Sequence, residues 1–328
     1  METKILGVEG IELGAKLLAQ GEVVAFPTET VYGLGGDAFN EAAIKKIYEA
    51  KGRPSDNPLI VHISDISQVE LVARVIPDEF YALAKRFMPG PLTIILPKKD
   101  CVPFAVTGGL DTVAVRMPSH PIARELIAKS GTLIAAPSAN SSMHISPTKA
   151  EHVFEDLNGK IPLIIDGGEC EVGIESTVLS LATEIPTILR PGIVTEGDLT
   201  TVIDAVTLFR GKVEKAQAPG MKYKHYAPKC VAILASCPEK AVELYKKKSN
   251  EGFHAVILAL NVNLEKYSGL NIILLGDSGK STANRIYSAL HEAESHYDFI
   301  IVDKLPSGGV FDSVMNRIIK ATAGIEEG

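Results

Sequence analysis

Residues 21–38 read GEVVAFPTETVYGLGGDA. The first six are an apolar run closed by Pro27, which predicts a short buried strand over residues 21–26. Beyond Pro27 the chain turns polar at once. Thr28, Glu29 and Thr30 sit where a strand ends, the place where α/β proteins bind ligands. Gly33, Gly35 and Gly36 either open the backbone to close approach by another group or supply a tight loop with positive φ. Just downstream, Ala43, Ile44, Ile47 and Tyr48 recur with helical spacing, and Gly52 is placed to end that helix. Strand, polar loop and helix in succession indicate an α/β protein.

The same unit recurs outward from this stretch. Apolar runs predict strands over residues 59–63, 92–96, 112–116, 132–136, 162–165, 177–181 and 187–189. A helix around Leu83, Ala84 and Phe87 must stop before Met88-Pro89-Gly90-Pro91, because each proline removes a backbone donor. Ser146 as N-cap and Pro147 at the first helical position predict a helix continuing over residues 148–157. Many strands joined by irregular loops predict a twisted mixed sheet. Residues 211–229, GKVEKAQAPGMKYKHYAPK, have little apolar periodicity and by composition read as a solvated linker. Beyond them the rhythm is regular. Strands over 230–235, 255–260, 272–275 and 299–302 alternate with helices over 239–247, 281–294 and 311–322, the pattern of a doubly wound, Rossmann-like parallel sheet. The expected organisation is a catalytic domain over 1–210, a linker over 211–229 and a smaller α/β domain over 230–328.

Bulk properties narrow the function. A net charge of −7 and no tryptophan argue against a broad nucleic-acid grip, although a small basic pocket is compatible with them. The basic linker leaves room for a weak RNA contact. No apolar run approaches the length of a membrane span, and Met1-Glu2-Thr3-Lys4-Ile5 opens no signal peptide, so a cytoplasmic location without membrane attachment is expected. Cys101, Cys170, Cys230 and Cys237 form no C-x-x-C pair and no zinc pattern with histidine.

Chemistry-bearing residues gather at predicted strand and helix ends. In Lys51-Gly52-Arg53-Pro54, two cations flank a glycine and the chain is then fixed by Pro54 and Pro58. Such a rigid elbow suits a polyphosphate or carboxylate, since arginine offers a planar fork and lysine a point charge; pairing of Lys51 with a helix dipole is the simpler alternative. Ser138 and Asn140 follow a predicted strand and taken alone read first as turn residues, with a phosphate or base-edge contact as the alternative. Asp166-Gly167-Gly168, Glu175-Ser176-Thr177 and Arg190-Pro191-Gly192 repeat the design, which favours one pocket built from several loops. Residues 276–282, GDSGKST, imitate a phosphate loop, but Leu274 stands where the pattern needs its first glycine, so a plain helix start is expected. Of the scattered histidines only His62 is placed for a pocket, and a core histidine is the more frequent explanation for such a lone case.

Together these segments resemble the threonylcarbamoyl-AMP synthases in their long form, a YrdC-like domain followed by a C-terminal domain. The matching stretches are PTETVYGLGGDA, KGRPSDNPL, PGPLT, VAVRMP, APSAN, SPT, ESTV, LRPG and PGMKYKHYAP, in order from residue 27 to residue 228. The resemblance implies condensation of L-threonine, bicarbonate or CO₂ and ATP into threonylcarbamoyl-AMP with release of pyrophosphate. It further implies Mg²⁺ with the ATP but no dedicated protein metal ligands, and a separate transferase that carries the product to tRNA. Carried over residue by residue, Lys51 and Arg53 would be catalytic. They would bind ATP together with Asn57, Thr112, Ser138, Asn140, Ser146 and Arg190, with Tyr226 of the linker closing over the nucleotide. Thr30, His62, Arg116 and Ser176 would hold threonine. One departure stands out: where the family often has Ser-Gly after Ser138-Ala139-Asn140, this chain has Ser141-Ser142-Met143-His144.

Overall fold

The computed structural model describes residues 2–211, 221, 226–322 and 325–326. Most of the 211–229 linker, and with it the expectation of a lid there, lies outside the described residues. The chain divides into two compact units. One comprises residues 1–142, 147–171 and 175–223; the other comprises 143–146, 172–174 and 224–328.

The first unit is built on an 11-stranded mixed sheet. From edge to edge its strands are Lys4–Leu6, Leu163–Ile165, Val24–Phe26, Gly33–Asp37, Ile134–Ala136, Ile60–His62, Thr112–Arg116, Leu92–Pro97, Thr177–Ser180, Thr187–Arg190 and Thr207–Leu208. The mixed sheet agrees with the expectation from the irregular loops. The glycine run does not form the positive-φ loop that was one of its readings. Gly33–Asp37 is a strand, antiparallel to Val24–Phe26 on one side and to Ile134–Ala136 on the other. Its glycines are there for space: a Cβ on Gly35 would lie 2.6 Å from Ile134 Cγ2 and 2.7 Å from Phe26 Cε1. The helix expected from Ser146 also begins later, at Ala150, with Lys149 as its N-cap. The Ser-Pro signal lies in the loop that precedes the helix.

Helix Glu41–Lys51 shows how sequence positions the site. Asn40 caps its start, accepting from the Ala42 and Ala43 amides at 3.0 and 3.3 Å. Ala43, Ile44, Ile47 and Tyr48 form its buried face. Lys51, one helical turn beyond Ile47 and Tyr48, lies on that same face and is therefore delivered inward. Gly52, left-handed at φ 61°, ends the helix there.

Sheet alternation divides the apolar residues. Val24, Phe26, Ile134, Ala136, Leu163 and Ile165 pack with residues of helices Ile11–Ala19 and Pro121–Ser130. The alternate residues, among them Ala25, Leu34, Val61 and Val115, enter the main core. Farther along the sheet, Ile60, Ile95, Ala114, Val178 and Leu189 form a separate apolar patch, against which only Phe209 and Met221 are packed as partly buried neighbours among the described residues.

The second unit carries a parallel five-stranded sheet in the order Ile272–Leu274, Ala255–Ala259, Phe299–Val302, Val231–Ala235 and Ile325–Glu326. Helices Pro238–Asn250, Gly279–His296 and Val310–Ala321 connect them, as the regular alternation predicted. Residues 276–282 do start a helix. Ser281 Oγ accepts from the Asp277 and Ser278 amides at 3.1 and 3.0 Å, so amides that a phosphate loop would offer to a ligand are already bonded.

Candidate active site

Three clusters form at strand ends of the first unit. The first centres on Lys51, which is only 4% exposed. Its ammonium donates to the Ser138 carbonyl at 2.6 Å, to the Asn140 carbonyl and to Asn140 Oδ1 at 3.4 Å. The Lys51 carbonyl in turn accepts from the Ser142 amide at 2.8 Å. Ser138 Oγ donates to Asn140 Oδ1, and the Ser141 amide donates to Asp156 Oδ2 at 2.9 Å. The two serines at the departure from the family pattern are thus tethered through their own backbone. Burial, reinforced by the nearby Arg53 charge, pushes the Lys51 ammonium well below its ordinary pKa.

Arg53 continues this wall. Its Nε and Nη2 donate to the carbonyls of Asn57 and Pro58 at 3.3 and 3.1 Å, which fastens the elbow to itself. Asn57 is buried, and its Oδ1 has no hydrogen-bond partner. A buried acceptor left open in this way marks a place where a ligand donor is missing.

The second cluster joins strands Ile60–His62 and Thr112–Arg116, where His62 lies directly opposite Arg116 in register. Both are buried. His62 Nδ1 is 3.0 Å from the Ile60 carbonyl, and burial together with the Arg116 charge lowers its pKa to about 3, so the ring is neutral. Arg116 Nη2 stands 2.8 Å from Glu29 Oε1, and Glu29 Oε2 accepts from the Ser119 amide at 3.2 Å. Thr28 Oγ1 shapes the turn bearing Glu29 by accepting from the Thr30 and Val31 amides at 3.2 and 3.3 Å, and Thr30 Oγ1 lies 2.9 Å from it. The first two clusters are linked by backbone, since the Ala139 amide donates to the Tyr32 carbonyl at 2.8 Å.

The third cluster is Arg190 with Ser176. Arg190 Nε and Nη2 donate to the Ser176 carbonyl at 3.1 and 3.0 Å, and Nη2 reaches Ser176 Oγ at 3.2 Å. Ser176 Oγ also pairs with Thr93 Oγ1 at 2.7 Å. Thr112 stands apart, at the far end of the strand that ends in Arg116. Four residues of strand separate them by roughly 13 Å. The apolar patch that includes Ile60, Ala114 and Val178 lies along this stretch of sheet.

The sequence thus named Lys51, Ser138 and Asn140 for one group and His62 and Arg116 for another, and the structure brings each group together. Arg190, expected with the phosphate residues, touches Ser176, which was expected with threonine. Ser146 and Tyr226 belong to the second unit, where the Tyr226 ring packs 5.3 Å from that of Tyr287. Sequence reasoning set Glu29 at a ligand-binding strand end without a specific contact, and gave no role to Thr93. Glu29 carried a usable signal, an acidic residue between two threonines at a strand end, whereas Thr93 carried none.

These features define a two-domain α/β protein with buried cations, Lys51, Arg116 and Arg190, held at strand-end loops of its first unit. Residues 16–192 match the family model for Sua5, YciO and YrdC, described as "Telomere recombination". Residues 194–323 match the model described as "Threonylcarbamoyl-AMP synthase, C-terminal domain". The chain belongs to the threonylcarbamoyl-AMP synthase family, in its long, two-domain form. It is 49% identical to threonylcarbamoyl-AMP synthase of Bacillus subtilis, with 96% of this chain and 93% of that protein covered. Identity to the Pyrococcus abyssi protein of the same name is 46%, covering 95% and 94%. The crystal structure of P. abyssi Sua5 complexed with L-threonine superposes with a TM-score of 0.93 at 43% identity, covering 100% of both chains.

Proposed function

We propose that this chain makes threonylcarbamoyl-AMP from L-threonine, bicarbonate or CO₂ and ATP, releasing pyrophosphate, and so acts as a nucleotidyltransferase serving tRNA modification. The observation that carries this reading is the Lys51 ammonium seated among Ser138 and Asn140 beside the Arg53 elbow, a place for a polyphosphate. Threonine is assigned to the His62–Arg116 end, where the two side chains face each other in register, and the family pattern supports this. The adenosine lies along the apolar patch toward Thr112.

Joining a carbamate oxygen to the α-phosphorus brings anions together, so charge neutralisation and alignment are the main tasks. Lys51, Arg53 and Arg190 supply the positive charge. The Lys51 ammonium is held by the Ser138 and Asn140 carbonyls, so a phosphate oxygen that gains Lys51 competes with these acceptors. The charge of the incoming anion also raises the ammonium pKa, opposing the desolvation that holds it down. Arg116 provides a fork for the threonine carboxylate, and the family pattern adds Thr30 and Ser176 to the threonine site. Ser146 and Tyr226 are assigned to ATP by the family pattern alone. Among the described residues no cluster of His, Cys, Asp and Glu could hold a metal. Mg²⁺ fits as a companion of ATP held by phosphate and water, neutralising phosphate charge when bound.

The deciding experiment is pyrophosphate release from ATP by the purified chain, with mass detection of threonylcarbamoyl-AMP. Release should require both L-threonine and bicarbonate; release indifferent to either overturns the proposal.

A further inference from the structure

Glu29 and Arg116 are both about nineteen-twentieths buried, with side chains 4% and 5% exposed. Their facing atoms, Oε1 and Nη2, are 2.8 Å apart, yet they lack hydrogen-bond alignment and neither has a hydrogen-bond partner. A carboxylate oxygen and a guanidinium nitrogen side by side, each with unused capacity, are costly in a protein interior. The rest of each side chain is anchored. Glu29 Oε2 accepts from the Ser119 amide at 3.2 Å, and Arg116 Nε donates to the Gly90 carbonyl at 3.4 Å. The Thr28 turn fixes the backbone that carries Glu29. Both open positions are therefore presented by rigid groups.

The titratable neighbours contribute little charge. Burial keeps the His62 imidazole neutral and lowers the pKa of His120, and it pushes the Cys170 thiol up. The pair is thus a buried acceptor and donor of opposite charge beside an imidazole, His62, and a thiol, Cys170, that burial holds uncharged. Its complement is a molecule carrying an ammonium and a carboxylate a few bonds apart. Such a zwitterion is neutral overall and exchanges one poorly aligned ion pair for two aligned ones.

We propose that Glu29 and Arg116 together form a zwitterion receptor, with Glu29 Oε1 accepting from the substrate α-ammonium while Arg116 takes the carboxylate. The assignment rests on the threonine reading above and extends it to a residue that the family pattern did not assign. Glu29 is a specificity residue here: it makes the site select an α-amino acid over the corresponding α-hydroxy acid.

The test is a binding cycle in which both the protein and the ligand are altered. Calorimetry gives the affinity of the full chain, and of Glu29→Gln, for L-threonine and for 2,3-dihydroxybutanoate, in which a hydroxyl replaces the amine. In the unaltered chain, loss of the amine should weaken binding by roughly 30-fold, the size expected of a charge-assisted hydrogen bond. In Glu29→Gln the same change should matter by less than about 3-fold, because structural effects common to both ligands cancel in the cycle. If Glu29→Gln does not fold, Glu29→Asp takes its place, and the amine contribution should shrink relative to the unaltered chain. An equal amine contribution in variant and parent, or equal binding of both ligands by the parent, overturns the receptor. Failure of the parent to bind L-threonine overturns the functional reading and the receptor with it. Normal threonine binding with an unchanged amine contribution overturns the receptor alone.

Discussion

The Lys51 ammonium lies 2.6 Å from the Ser138 carbonyl although 87 residues separate the two in sequence. The contact joins the end of a helix to the loop after a strand, and Lys51 also bonds both the carbonyl and the side chain of Asn140. A buried lysine that gathers backbone carbonyls organises a loop, and its depressed pKa makes it responsive to an arriving anion.

Lys51→Met keeps most of the apolar stem and removes the charge. Pyrophosphate release should fall by at least about 100-fold, the scale on which lost transition-state charge stabilisation acts. The freed carbonyls cost about 1–3 kcal/mol, but removal of a desolvated charge offsets much of this. The thermal midpoint should therefore move by only a few degrees. Unfolding of the variant at room temperature would make Lys51 structural first and catalytic second.

Much of this arrangement was legible in the sequence because it follows from period and punctuation. The helical spacing of Ala43, Ile44, Ile47 and Tyr48 with Gly52 after them predicts where the helix ends and on which face Lys51 falls. Strand Thr112–Arg116 was read with its observed bounds because apolar alternation and flanking polar residues agree there. The glycine run was harder. Gly33–Asp37 pairs as a strand between two neighbours, and Gly35 is required there because Phe26 and Ile134 occupy the space a side chain would need, a tertiary fact with no local mark. Ser146-Pro147 obeys the local rule for a helix start, yet the helix waits until Ala150. The open atoms of the Glu29–Arg116 pair could not be read at all, since they depend on how side chains from different elements are aimed.

Gly35 offers a stability test of the glycine strand. In Gly35→Ala the new methyl meets Ile134 Cγ2 at 2.6 Å and Phe26 Cε1 at 2.7 Å, distances that force packed side chains to shift. Urea unfolding should show a loss of about 1–3 kcal/mol, as for other overpacked cores. An unchanged midpoint would mean that the strand and its neighbours separate easily.

Asn57 separates stability from binding. Its buried Oδ1 lacks a partner, so Asn57→Ala deletes a polar group that gives the unliganded fold little net support. Unfolding without nucleotide should change by less than about 1 kcal/mol. ATP affinity should drop about 10-fold, equivalent to one hydrogen bond. The readout is the rise in thermal midpoint that ATP produces, which should be smaller in the variant. An undiminished rise would remove Asn57 from the nucleotide site.

His62 gives the fold a defined acid dependence. Its pKa falls from 6.5 to about 3 on folding, because burial and Arg116 disfavour the imidazolium. Between those values the unfolded chain binds more protons than the folded one, so stability rises with pH across the window. The His62 contribution is complete above about pH 6.5 and is withdrawn progressively as pH falls toward 3. By pH 4.5 the withdrawn part is about 2–3 kcal/mol, at about 1.4 kcal/mol per pH unit. In His62→Gln this part is absent. Denaturant unfolding of both proteins at pH 7 and pH 4.5 should show the parent losing more stability on acidification, by about that amount. Parallel losses would show that His62 takes up protons as readily in the folded chain as in the unfolded one, which its seat against Arg116 opposes.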